Sequence, residues 1–159
     1  MGWIENNDFA KILQPKMIVN KIALCSDHAG YELKEFLIKE LSGKGYEIEN
    51  FGTFSSQSCD YADFAHPMAS SVEKNFCDLG IAVCGSGNGI NMTVNKHQKI
   101  RGALCWKPEI AYLARLHNDA NVCCLPARFV SNEIALEIVD TFLNTLFEGG
   151  RHSERIRKI

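Results

Sequence analysis

From Lys21 onward, short apolar runs and helical stripes take turns along the chain. Lys21 to Cys25 is an apolar run ending in the polar Ser26-Asp27-His28-Ala29-Gly30, after which Leu33, Phe36, Leu37 and Leu41 recur at helical spacing until Gly43 and Gly45. The alternation repeats with a strand over Tyr46 to Phe51, a helix over Tyr61 to Lys74, and a strand ending at Cys84. A glycine loop follows, then a helix to about His97, a strand over Ile100 to Cys105 and a helix opened by Pro108. Asn121 to Leu125 reads as a fifth strand. Ser131 caps a last helix, with Ile134, Ile138, Leu143 and Phe147 in its apolar stripe and Gly149-Gly150 as its stop. Residues 1 to 19 lack this periodicity and read as an extension before a single domain over residues 20 to 159.

Strands that are apolar throughout and alternate with helices predict an α/β fold whose five-stranded parallel sheet is covered on both faces. Ligands of such sheets bind beyond the carboxyl ends of the strands, near a reversal in strand order. Asp27-His28 follows the first strand and Cys84-Gly85-Ser86-Gly87-Asn88-Gly89 the third, so both belong on that edge. His117-Asn118 closes a helix and precedes a strand, which puts it nearer the opposite edge. A second subunit is therefore the expected source of His117 for a shared site.

The glycine loop carries most of the chemistry. Alternate glycines permit backbone conformations that a Cβ resists, and they let amides converge on a small anion beside the Cys84 thiol. If the loop opens a helix, the helix dipole favours thiolate there. The spacing is not the dinucleotide fingerprint, which needs Gly-x-Gly-x-x-Gly with an acidic residue about 20 positions on, and no Gly-Lys-Ser/Thr makes it a P-loop. A tight turn and a buried cysteine are the bland readings of the same residues; for Asp27 it is a helix cap. His117 can equally be a histidine at the edge of the core, and Asn118 part of the turn. Arg151 and Arg155, four apart, share one face of a helical turn and could clamp a phosphate, with Arg128 a further anion contact. The plain alternative for the first two is a solvated basic tail. Lys99 and Arg101 read as ordinary surface charge.

Composition narrows the partners. With 159 residues, 46% hydrophobic, 23% charged and a formal net charge of -2, bulk electrostatics argues for neither nucleic acid nor an anionic membrane. Seven cysteines, an odd number without a Cys-x-x-Cys pair, suit reduced thiols in a cytoplasmic protein better than disulfides or a zinc site. The first twenty residues hold Glu5, Asp8, Lys11 and Lys16 and no long apolar core, so neither a signal peptide nor a span is expected.

Taken in order, Ser26-Asp27-His28-Ala29-Gly30, Asp60-Tyr61, Cys84 to Gly89, Asn95-Lys96, Arg115 to Val122 and Glu148-Gly-Gly-Arg151-His-Ser-Glu-Arg155 resemble the type B ribose-5-phosphate isomerases. Their wider family includes galactose- and allose-6-phosphate isomerases. The resemblance implies a Rossmann-like three-layer α/β/α sandwich, a homodimer or tetramer with sites shared between subunits, a sugar-phosphate substrate of the pentose phosphate pathway, and neither metal nor cofactor. It implies Cys84 as the base between C1 and C2, His117 as the ring-opening acid/base, and Ser86 as an aid to proton exchange between O1 and O2. Amides of Gly85, Gly87, Asn88 and Gly89 would hold the enediolate oxygen, Asp27, His28 and Asn118 the sugar, and Arg128, Arg151 and Arg155 the hydroxyls or phosphate. Ser86 stands where many members have threonine, and Asn88 where a small apolar residue is common. Cys84 replaces the glutamate of some relatives. Isomerisation of a six-carbon aldose 6-phosphate, a silent phosphosugar-binding module and a thiol redox protein are the alternatives.

Overall fold

A computed structural model describes residues 18–159, so the expected extension lies outside the described residues except for Ile18 and Val19, and Val19 already packs on the core. Eleven elements follow: β1 (Lys21–Ser26), α1 (Tyr31–Gly43), β2 (Glu47–Asn50), α2 (Tyr61–Glu73), β3 (Leu79–Cys84), α3 (Asn88–Val94), β4 (Gly102–Leu104), α4 (Pro108–Asn118), β5 (Val122–Pro126), α5 (Asn132–Asn144) and α6 (Arg151–Ile156). All strand pairs are parallel, in the order β2-β1-β3-β5-β4. Strand order reverses between β1 and β3, so the loops after these two strands open a crevice there.

Side chains along a strand alternate between faces, and the alternation divides the core in two. Ile22, Leu24, Ile81, Val83, Cys123 and Leu125 pack with α1, α4 and α5. Ala23, Cys25, Ala82, Cys84, Val122 and Cys124 pack with α2 and α3. The second face uses smaller residues, which lets its two helices lie close, and Cys84 is the last strand residue on it. Among the described residues no helix is long and apolar enough to cross a membrane.

Two expectations change, and one buried charge was not foreseen. The last long helix ends at Asn144 rather than at Gly149: Thr145 is extended, its hydroxyl donates to Thr141 O at 2.7 Å, and buried Arg115 donates from Nε to its carbonyl at 3.3 Å. That bond removes the carbonyl from any continuing helix, and Arg151–Ile156 becomes a helix of its own instead of a tail. Ile134 is exposed, and the stripe runs through Ala135, Ile138, Val139, Phe142 and Leu143. Lys34, on the apolar face of α1, is fully buried: Nζ donates to Glu35 at 2.6 Å and to Asn50 Oδ1 at 3.1 Å, and lies over the rings of Tyr31 and Phe54. A buried ammonium is tolerable only with such partners.

All seven cysteines are free. Burial pushes the Cys77 thiol up to about 11 and the thiols of Cys25 and Cys124 well above the usual 9; Cys123 is raised by its hydrogen bond with Cys105 and by burial. In the unfolded chain these thiols ionise near 9, so their contribution to stability is complete below that pH and is lost as pH rises toward the folded values. The melting temperature should fall between about pH 9 and 11, and Cys77→Ala should make that fall shallower. A melting temperature that held level to the top of the range would contradict the assignment.

Candidate active site

The crevice at the strand reversal is a cleft of about 230 Å³ lined by Asp27, His28, Ala29, Tyr61, Cys84, Gly85, Ser86, Gly89 and Arg128. Each side chain is held by an element end. Asp27 Oδ1 accepts the N–H of Gly30 at 3.0 Å, so the carboxylate fixes the turn into α1 although the N-cap residue itself is Gly30. A cap contact and a face on the cleft therefore coexist in one residue.

His28 Nδ1 lies 3.2 Å from Cys59 N and 3.3 Å from Cys59 O, and in the tautomer that accepts the Cys59 N–H, Nε2–H is left as a donor. The loop carrying Cys59 leaves the end of β2, where Asn50 Oδ1 accepts from Lys34 Nζ at 3.1 Å and from Gly52 N at 2.9 Å. The buried lysine thus anchors the near end of the strap that orients His28.

Cys84 is 4% exposed and lines this cleft. The β3–β5 ladder continues past it, with Ala127 N donating to Cys84 O at 2.9 Å and Arg128 N to Gly85 O at 3.1 Å. Thiol and guanidinium therefore share one rigid frame. Arg128 lies over Gly85, where an added Cβ would meet Nη1 at 3.1 Å. At Gly89 a Cβ would sit 2.5 Å from the Tyr61 ring, so the loop passes under that tyrosine only as glycine. Gly87, at φ +76°, turns the chain into α3, and the Asn88 N–H and Nδ2 both approach Ser86 Oγ at 3.3 Å. Asn88 faces a neighbouring, mainly apolar cleft of about 390 Å³ shared with Ser86, Leu104, Trp106, Pro126 and Phe129.

His117, Asn118, Arg151 and Arg155 are not in this cleft. Arg101 donates from Nε to Asn118 O at 3.0 Å and from Nη2 to Asp119 Oδ2 at 3.0 Å, which ties the end of α4 to the start of β4 at the amino edge of the sheet. Arg101 is thus a structural bracket and not ordinary surface charge. Glu148 N donates to Leu116 O at 2.9 Å, and His152 stacks on His117, so α6 and its exposed Arg151 and Arg155 stand at the same edge. The chain carries two groups of polar residues at opposite ends of its strands. Among the described residues one trio has metal-ligand chemistry, His117, Glu148 and His152, with donor atoms within 4.8 Å of one another.

Sequence reading met Tyr61, Glu148 and His152 only inside the motifs and gave them no role. Tyr61 directly follows Asp60 at the head of α2, and Glu148 and His152 are four apart around two glycines, the spacing that joins side chains across one helical turn.

The ribose/galactose isomerase family profile matches residues 22–159. The chain belongs to this family. It is 40% identical over 141 residues to ribose-5-phosphate isomerase B of Escherichia coli, covering 89% of this chain and 95% of that one. The crystal structure of a ribose 5-phosphate isomerase from Thermotoga maritima superposes with a TM-score of 0.86 at 50% identity, over 87% of this chain and 96% of that one. The ribose-5-phosphate isomerase B of Mycoplasma genitalium, solved with bound ribulose-5-phosphate, gives 0.83 at 42% identity over 87% and 92%.

Proposed function

We propose that this protein interconverts D-ribose 5-phosphate and D-ribulose 5-phosphate through a cis-enediol, in a homo-oligomer whose sites combine both edges of the sheet. The observation that carries the reading is Cys84 in one cleft with the glycine loop, Asp27, His28 and Arg128. Moving a carbonyl from C1 to C2 needs a base at carbon and donors at the developing oxyanion. The Cys84 thiolate takes the C2 proton, the C–H electron pair becomes the C1–C2 double bond, and the charge moves onto O1 beside the loop amides. Ser86 passes the O2 proton to O1, the C2 carbonyl forms, and the thiol returns its proton to C1. Asp27 and His28 hold the hydroxyls, Nε2–H of His28 as donor, and Arg128 adds a cation on the same frame.

The sugar arrives as a furanose, so the ring must first open. His117 protonates O4 as the C1–O4 electron pair moves to it, while the O1 hydroxyl gives its proton to water and C1 becomes an aldehyde. Asn118 is a sugar contact, and Arg151 and Arg155 grip the phosphate. Because these four stand at the opposite edge of the chain, a second copy brings them to Cys84. Support for such docking comes from the apolar cleft beside Ser86, with Trp106 51% and Phe129 74% exposed, an area that a partner would cover.

The test is turnover of ribose 5-phosphate, allose 6-phosphate and galactose 6-phosphate by the purified protein. Ribose 5-phosphate should give the highest kcat/KM. A six-carbon substrate in first place would move the assignment within the family, and no turnover of any of the three would sink it.

A further inference from the structure

His117 belongs to a constellation that ring opening by a lone imidazole does not explain. Its ring stacks on that of His152, with centroids 4.2 Å apart and planes 13° apart. His152 is 5% exposed, and its Nε2 lies 3.1 Å from Glu148 Oε2 without a well-directed hydrogen bond. The same oxygen is 3.7 Å from His117 Nε2. One carboxylate therefore faces two stacked imidazoles, one of them buried.

The backbone is built to make this happen. Glu148 N is bonded to the last turn of α4, next to His117, and positive φ at Gly149 (+73°) and Gly150 (+58°) folds the chain back so that His152 returns over the ring. Such turns strain residues that carry a Cβ. A divalent cation is the other occupant that two imidazoles and a carboxylate suggest. Nearly parallel rings oppose it, because an ion in the plane of one ring lies out of the plane of the other. A carboxylate can approach both ring edges from between the two planes, while the buried ring fixes the plane of the exposed one.

We propose that Glu148 and His152 are positioning residues for His117, the Glu148 carboxylate drawing both Nε2 atoms toward one point and His152 setting the ring plane from which His117 reaches O4. This rests on the ring-opening role given to His117 above. Neither residue touches the reacting carbons, which are the business of Cys84.

Two assays separate the ring step from the carbon step. Turnover of ribose 5-phosphate requires opening, whereas exchange of the C1 hydrogen of ribulose 5-phosphate with solvent deuterium does not, since a 2-ketopentose phosphorylated on O5 cannot close a furanose. Glu148→Ala and His152→Ala should lower kcat on ribose 5-phosphate by about 10- to 100-fold, a share of what a general acid–base supplies, with KM little changed and C1 exchange spared. Glu148→Asp and His152→Phe, which keep the charge and the stacked ring respectively, should restore part of the loss. Equal losses in both assays would overturn the inference, and so would a wild-type activity abolished by EDTA and restored by zinc. A wild-type protein inactive on both substrates would fell the isomerase reading and this inference with it.

Discussion

Replacing Cys84 by alanine is expected to lower kcat on ribose 5-phosphate by about 10²- to 10⁴-fold while leaving KM close to its original value. The asymmetry follows from the geometry. The residues proposed to hold the sugar, Asp27, His28 and Arg128, do not depend on the sulfur for their positions: Asp27 is fixed by Gly30 N, His28 by Cys59 N, and the Arg128 backbone by the ladder bond to Gly85 O. Cys84→Ser should remain nearly as impaired, because a hydroxyl is a far weaker carbon base than a thiolate. Calorimetric titration should show the alanine variant still binding ribose 5-phosphate. Since the side chain is buried against α2 and α3, a parallel melting curve shows that the fold survives the lost sulfur. Undiminished turnover by the alanine variant would remove Cys84 from the mechanism and leave the protein a site of some other kind.

Mixing two dead variants is expected to restore activity. Cys84→Ala and His117→Ala homo-oligomers should each be nearly inactive, but a mixed pair builds one site with both defects and one with neither. With random reassortment after unfolding and refolding together, half the dimers are mixed and each has one sound site, so recovery should approach about a quarter of the wild-type rate. This large signal from near zero comes directly from the placement of His117 beside Arg101 and β4, away from the Cys84 cleft. Absence of recovery, with mixed dimers demonstrated by mass, would mean that the reaction uses groups from one chain only.

The alternation of elements was readable because each strand is apolar and each helix has a stripe, and the two sheet faces follow from strict period two through Ile22-Ala23-Leu24-Cys25 and Ile81-Ala82-Val83-Cys84. The loops after β1 and β3 were legible for the same reason, since topology alone places Asp27, His28 and Cys84 on one edge. What stayed hidden depends on tertiary bonds. No glycine or proline marks the end of the last long helix at Asn144; there Thr145 turns extended, and a buried arginine thirty residues earlier takes its carbonyl. Lys34 resembles any helix-surface lysine until the loop after β2 folds over it. Tyr61, Glu148 and His152 gain their places only when a glycine lets a ring or a chain reversal come close, as at Gly89, Gly149 and Gly150. The two edge groups of polar residues were anticipated, although their separation turned out to include α6 as a rigid carrier for Arg151 and Arg155.

That separation bears on how such an enzyme measures its substrate. In the proposed assembly the thiol assigned to one end of the sugar and the arginines assigned to the other stand on different copies of the chain, so no single subunit would fix the span between them. The ruler would then be the contact between subunits. A small slide of one copy against the other, made by exchanging apolar side chains such as Trp106 or Phe129, would alter the accepted carbon count without changing any group that touches the sugar. Chain-length preference in this architecture can thus drift through packing, far from the chemistry it governs.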